Sequence, residues 1–384
     1  MSVRQGMATG ALRLAIGLMV SSVLWGLPLR ALAVTLDLRE GATEMSRRVQ
    51  ALHHMSLIIC VVVGVIVFGA MFYSIFAHRR SKRPTPAKFH ENTLVEVAWT
   101  VVPALIITGM AIPATVALVE IEDNSDADLS ILVTGSQWKW HYRYLEADID
   151  FYSNATIPPE QINNLEPKDE HYPLMVDNPL VLPTNKKVRF LTTSGDVIHS
   201  WWVPDLAVKQ DAIPGFINEA WARAEEPGIY RGQCAELCGM NHAYMPTVVE
   251  VMPEEEFDAW LTDQRLAREL SGEAAVAARS RDWTMEELLP IGEQVFLTQC
   301  ATCHQPDGSG QGLKYPALGG GVITNGPIED HLDRVMNGKA DTEMQAWAPQ
   351  LSDLDIAAVI TYERNSFGND TGDVVQPLTV YSAR

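Results

Sequence analysis

Basic residues are scarce beyond residue 120: residues 121–384 hold 18 Lys and Arg against 42 Asp and Glu, a formal charge of −24. So acidic a surface repels phosphate backbones and excludes nucleic acid as a partner. It serves solubility, and it can attract a basic protein. Cysteine is rare as well, with five in 384 residues. Cys60 stands alone in an apolar run and reads as packing. The other four form two close pairs, Cys234/Cys238 and Cys300/Cys303, and a disulfide is one reading of each. No internal repeat is present. Two long runs lack charge altogether, Leu57–Ala77 with 21 residues and Val97–Val119 with 23.

Each charge-free run is long enough to cross a hydrocarbon core of about 30 Å as a helix. Pro103 and Pro113 in the second are tolerated inside a membrane. Arg79, Arg80, Lys82, Arg83 and Lys88 lie between the runs, opposed only by Glu91. By the positive-inside rule this loop faces the cytoplasm, and everything after residue 120 faces outward. Spans at about 55–77 and 95–119 therefore form a hairpin within residues 34–120. Ahead of them, Arg4 and Arg13, an apolar stretch from Leu14 to Leu27 and the triplet Ala31-Leu32-Ala33 read as a signal peptide over 1–33. An uncleaved anchor is the alternative.

From residue 121 to 253 the text reads as short strands (Leu129–Gly135, Trp138–Tyr144, Val188–Thr193, Val248–Met252) between turn signals, as in an all-β sandwich or barrel. Residues 254–282 are rich in Ala, Glu and Arg and form a linker, helical or flexible. As a flexible tether it spans roughly 30 Å. Residues 283–384 place helices around a glycine-rich middle. The last clear helix opens at Ser352, with Asp355 three residues on as a capping box, and runs to about Ser366.

Residues 234–245 read CAELCGMNHAYM. Two thiols, an imidazole and a thioether within twelve residues form a soft donor set that suits copper. Two cysteines four apart can bridge the same two ions, and His199 in the strand-like DVIHSWWVP segment can supply a second imidazole. This string resembles the mixed-valence dinuclear copper (CuA) signature of cytochrome c oxidase subunit II, and no ligand position departs from it. The resemblance implies that Cys234 and Cys238 bridge the coppers, that His199 and His242 each bind one, and that Met245 is a weak ligand. It also implies that the backbone carbonyl of Glu236 serves the other copper, and that the Glu236 side chain reaches a magnesium ion at the interface with subunit I. The G-x-Q-W-x-W-x-Y stretch resembles the family's aromatic segment, in which the position of Trp138 receives electrons from cytochrome c. Packing is the plainer reading of Trp138. Val95 to Pro103 is similar to the family's V-E-x-x-W-T-x-x-P stretch, which implies that Glu96 marks a proton-path entrance into subunit I. Snorkelling into headgroups is the alternative there.

Cys300-Ala301-Thr302-Cys303-His304 is the C-x-x-C-H attachment motif for haem c. Two cysteines on one helical turn can bond both vinyl groups, and His304 can ligate iron. A redox disulfide is the alternative. The sixth ligand is expected to be a methionine. Met344, in a segment similar to the M-P-x-W loop of class I cytochromes c but with Gln345 in the proline position, is preferred. Met336, at helical spacing, reads as packing.

The resemblance covers nearly all of residues 50–370. It implies a multidomain chain: a two-helix transmembrane hairpin, an all-β cupredoxin-like Greek-key barrel and an all-α cytochrome c domain, as in cytochrome-fused (caa-type) subunits II. The implied cofactors are two copper ions, one covalent haem c and magnesium. The implied partners are oxidase subunits I and III, an external cytochrome c or other donor, and membrane lipid. The implied site is a bacterial inner membrane, with the copper and haem domains on its outer face. Electrons would pass from donor to haem c, to copper, and on to a haem–copper partner that reduces oxygen to water and pumps protons. No His cluster for that chemistry lies in the spans, where His53, His54, His78 and His90 sit only at edges or in the basic loop. The alternatives are the small subunit of a CuA-containing nitric oxide reductase and a membrane-tethered electron carrier.

Overall fold

The computed structural model describes residues 37–39, 41–85, 90–340 and 342–384. The expected signal peptide and Lys88 of the basic loop lie outside the described residues.

Helix α1 (Glu44–Ala77) and helix α2 (Thr93–Ile121) are both long and apolar enough to cross a membrane. Helix α1 begins eleven residues before the expected span. Thr43 and Ser46 form a capping box that satisfies the first free N–H groups. The start is also pinned to the next domain: Ala42 N donates to Asp205 O at 2.8 Å, and Arg47 pairs with Glu225 at 2.8 Å. Arg48 of α1 pairs with Glu120 of α2, which joins the outer ends of the hairpin.

Ten strands follow in two five-stranded sheets. The first orders β3 (Ile149–Ser153), β2 (Lys139–Tyr144), β1 (Leu129–Ser136), β5 (Val188–Ser194) and β8 (Asn218–Ala222). The second orders β4 (Leu180–Pro183), β10 (Pro246–Met252), β9 (Gly228–Cys234), β6 (His199–Val203) and β7 (Val208–Ala212). The β1–β5 and β10–β4 pairs are parallel and the rest antiparallel. This is a cupredoxin-like sandwich. Its inner faces bury Trp140, Tyr142, Tyr144, Phe190 and Trp201 completely, and the Trp201 indole N–H donates to the Tyr142 hydroxyl at 3.3 Å, so the polar end of a buried aromatic is satisfied.

Residues 254–279 are not a flexible tether. They form helix α3 (Glu254–Arg279), about 39 Å long at 1.5 Å per residue. Phe257, Trp260 and Leu261, at helical spacing, pack onto the sandwich core. Arg268 then bonds Asp148 and Asp150. At the far end Arg279 lies 3.6 Å from Asp353 and over the Tyr381 ring at 4.2 Å.

The C-terminal domain is helical. Helix α4 (Met285–Val295) opens on a Thr284/Glu287 capping box. A π-turn (Phe296–Cys300) and a short helix (Ala301–His304) continue it. Then come α5 (Ile328–Asn337), α6 (Asp353–Arg364) and α7 (Pro377–Ala383). Helix α6 is capped by Ser352 and Asp355 as expected, but α7 adds one helix after it. Gly292 lets α4 cross α6 closely, since a Cβ there would stand 2.2 Å from the Ala358 carbonyl oxygen.

Candidate copper and haem sites

Strand ends build the first site. β6 opens at His199, β9 ends at Cys234, and β10 starts just after Met245. The loop between is closed by Cys234 N donating to Met245 O at 2.9 Å, and Ala235 N donates to Ser200 O at 3.0 Å. Strand register therefore fixes where both ends of the ligand string point. Gly135 on β1 leaves room for the imidazole, because a Cβ there would lie 2.8 Å from the His199 ring.

Cys234 Sγ and Cys238 Sγ stand 3.7 Å apart. A disulfide needs about 2.05 Å, so the pair is not one. His199 Nδ1 lies 3.9 Å from Cys234 Sγ, His242 Nδ1 lies 3.6 Å from Cys238 Sγ, and the Glu236 carbonyl oxygen lies 3.3 Å from Cys234 Sγ. With metal–sulfur and metal–nitrogen bonds of about 2.3 and 2.0 Å, two ligands of one ion at an open angle stand roughly 3.7 Å apart. The donor set fits shared metal ions. Met245 is fully buried beside the two cysteines, whereas the Glu236 side chain is exposed.

A hydrogen bond from Cys238, helped by His199, holds the Cys234 thiol well below its ordinary range, at about 3. The same shared proton raises Cys238. Asp196, which sequence reasoning missed, fixes the imidazole: its carboxylate lies 2.9 Å from His199 Nε2. Burial alone would raise Asp196, but the bonds from His199 and from the Gln137 and Val197 N–H groups hold its pKa below the usual carboxylate value. Burial alone would lower His199, and the bond to Asp196 turns that shift upward. With Nε2 so engaged, Nδ1 is left to face the sulfurs.

Trp138 is half-buried, and its indole N–H donates to the Cys238 carbonyl at 3.1 Å. Gln137 Nε2 donates to the same oxygen at 2.8 Å. The expected electron-receiving tryptophan therefore touches the backbone of an expected copper ligand. Glu96 is half-buried in the first turn of α2, where its carboxylate accepts from Asn92 N at 3.3 Å.

In the C-terminal domain Cys300 and Cys303 are free thiols on one continuous turn. Burial raises both, Cys303 to about 11, the opposite of what a redox-active pair requires. His304 Nδ1 is 2.9 Å from the Pro316 carbonyl oxygen, which leaves Nε2 for a ligand. Two unbonded thiols beside an imidazole so oriented fit a covalent haem. Met344 is half-buried in the loop after α5, and Met336 is buried at 4 % exposure on the core face of α5 with His331, Leu332 and Val335.

Three family descriptions match: cytochrome c oxidase subunit II, transmembrane domain, over residues 31–116; cytochrome c oxidase subunit II, periplasmic domain, over 129–252; and cytochrome c oxidase, cbb3-type, subunit III, over 287–362. A probable cytochrome c oxidase subunit 2 of Rickettsia felis is 41% identical over 223 residues, covering 58% of this chain and 70% of that one. The Cereibacter sphaeroides cytochrome c oxidase subunit 2 is 35% identical over 238 residues, covering 59% and 78%. The crystal structure of the periplasmic domain of subunit II of cytochrome oxidase of Bradyrhizobium japonicum is 38% identical and covers 37% of this chain and 96% of that one, with a TM-score of 0.33. The chain belongs to the cytochrome c oxidase subunit II family, as the membrane-anchored electron-receiving subunit of a haem–copper oxidase with a cytochrome c domain at its C-terminus.

Proposed function

We propose that this chain carries electrons one at a time through two centres in series. Cys300 and Cys303 hold haem c covalently, with His304 and Met344 as axial ligands. Cys234, Cys238, His199, His242, Met245 and the Glu236 carbonyl hold two coppers. When bound, haem c supplies a one-electron acceptor for an outside donor, and the copper pair supplies a centre that shares one electron over two ions. The observation that carries this reading is the pair of sulfurs 3.7 Å apart, each with an imidazole Nδ1 within 4 Å.

The residues' task is to hold geometry while charge changes. The Asp196–His199 bond sets the ring, the strand ends set the sulfurs, and full burial of Met245 keeps water from that side. The domains divide near residues 120, 253 and 283, a division that the ends of α2, β10 and α3 support. The hairpin spans a bacterial inner membrane with both cofactor domains on its outer face, since the basic loop between α1 and α2 stays inside. Subunit I accepts the electrons, subunit III completes the complex, and an external cytochrome c or similar carrier donates. Glu236, exposed at the loop tip, is free to reach magnesium at the subunit I interface. Glu96 sits at the inner mouth of a proton path.

Copper and haem analysis of the purified complex, with electron spin resonance, tests the assignment. One unpaired electron over two coppers and one haem c per chain are expected. A single blue-copper signal, or zinc alone, would contradict it. Oxygen consumption, rather than nitric oxide consumption, separates the oxidase from the reductase reading.

A further inference from the structure

Lys139 is a cation in an unusual place. It is only 5 % exposed, and no carboxylate among the described residues lies within ion-pair distance. Isolating a charge from water is costly without a partner, and burial pushes its pKa down to about 7. The amine is served by aromatic faces instead. It lies 5.5 Å from the Tyr152 ring centroid of its own domain and 4.2 Å from that of Trp347 in the haem domain. Trp347 is three residues past Met344.

A second contact joins the same two segments. Gln345 Nε2 donates to the Gln137 carbonyl at 3.3 Å. Gln137 is itself tied to the copper site twice: its side chain donates to the Cys238 carbonyl at 2.8 Å, and its backbone N–H donates to Asp196, at 2.8 Å, which bonds His199. The loop bearing the expected haem methionine thus rests on the turn that braces two expected copper ligands. Helix α3, anchored to the sandwich by Phe257 and Trp260 and to the haem domain by Arg279, holds the same two domains from another point.

We propose that the Gln137–Lys139 turn is a docking receptor for the chain's own haem domain, with Lys139 and Gln345 as the positioning residues that seat the 344–347 loop. The proposal rests on the two-centre reading above. Its consequence concerns partners. Trp138 lies within the occupied turn, so the docked haem domain covers the surface that an external carrier would need to reach the copper directly. Outside electrons then enter only through the haem domain, by a face other than the 344–347 loop.

The test uses the intact, copper- and haem-loaded complex with Lys139→Ala, Lys139→Arg and Gln345→Ala. Hydrogen–deuterium exchange is followed at 137–139 and at 344–350. Losing a desolvated cation–aromatic contact shifts the docked-to-undocked ratio by roughly tenfold. Exchange in both segments should therefore rise together by about that factor in Lys139→Ala, and by less in Gln345→Ala. Lys139→Arg, whose planar cation also stacks on an indole, should keep most of the protection. Copper spin resonance and haem absorption should be unchanged in all three. Mixed with a reduced soluble cytochrome, Lys139→Ala should begin to reduce copper without prior haem reduction. Exchange that stays at the unmodified level, or that rises only at 137–139, would overturn docking and leave Lys139 as local strand packing. Absence of either cofactor signal from the unmodified complex would instead overturn the two-centre reading beneath it.

Discussion

The copper domain and the haem domain solve the same problem, holding a redox centre still, in different ways. In the copper domain the candidate donors converge because they sit at or between the ends of β6, β9 and β10 and share hydrogen bonds with one another. In the haem domain the two axial candidates, His304 and Met344, lie forty residues apart, on a short helix and on an irregular loop. A sheet sandwich fixes ligands by register. A small helical domain fixes only the attachment turn and leaves the methionine loop to be held by its surroundings, here in part by the neighbouring domain.

Cys234→Ser should have the largest effect. Serine takes one of the two soft bridging donors away and puts a hard hydroxyl in its place, so the dinuclear spin-resonance signal should vanish while haem absorption stays. Next, Met344→Ala should abolish the weak sulfur-to-iron absorption band of the oxidised protein, and Met336→Ala should keep it. The reverse would move the ligand onto the buried face of α5. Trp260→Ala in the anchor of α3 should destabilise the sandwich by about 2–3 kcal/mol, below the cost of truncating a fully buried aromatic because Trp260 is only half-buried, read by denaturant unfolding. Smaller again is Asp196→Asn. It leaves all direct ligands in place but frees the His199 ring, and should cost about 10–100-fold in copper affinity, measured by competition with a chelator.

The candidate copper ligands were legible because twelve contiguous residues carry most of them, and the candidate haem turn because its motif is local. Helices α1, α2 and α6 were legible from charge-free length and capping. Strands β3, β4, β7, β8 and β9 were not, since strands of four to seven residues carry too few alternations to stand out between turn signals. The composition of residues 254–282 fits both a helix and a flexible tether. The apolar triple Phe257, Trp260 and Leu261 at i, i+3, i+4 was the signal that decides it. The burial of Lys139 could not be read at all, because the ring that covers it belongs to a residue some two hundred positions away. Asp196 was likewise hidden, as its importance comes from a distance of 2.9 Å to His199 and not from any motif.

Electrons are proposed to pass through the haem domain to the copper domain within one chain. Flash reduction of the haem in the intact complex, with copper and oxygen followed together, tests it most directly. Because α3 joins the domains covalently, the haem should reoxidise with matching transient copper reduction, at a rate independent of protein concentration. That rate should also resist added salt better than the bimolecular step from the outside donor, whose encounter with an acidic surface is screened. Haem oxidation without transient copper reduction, or a rate that scales with protein concentration, would contradict the account.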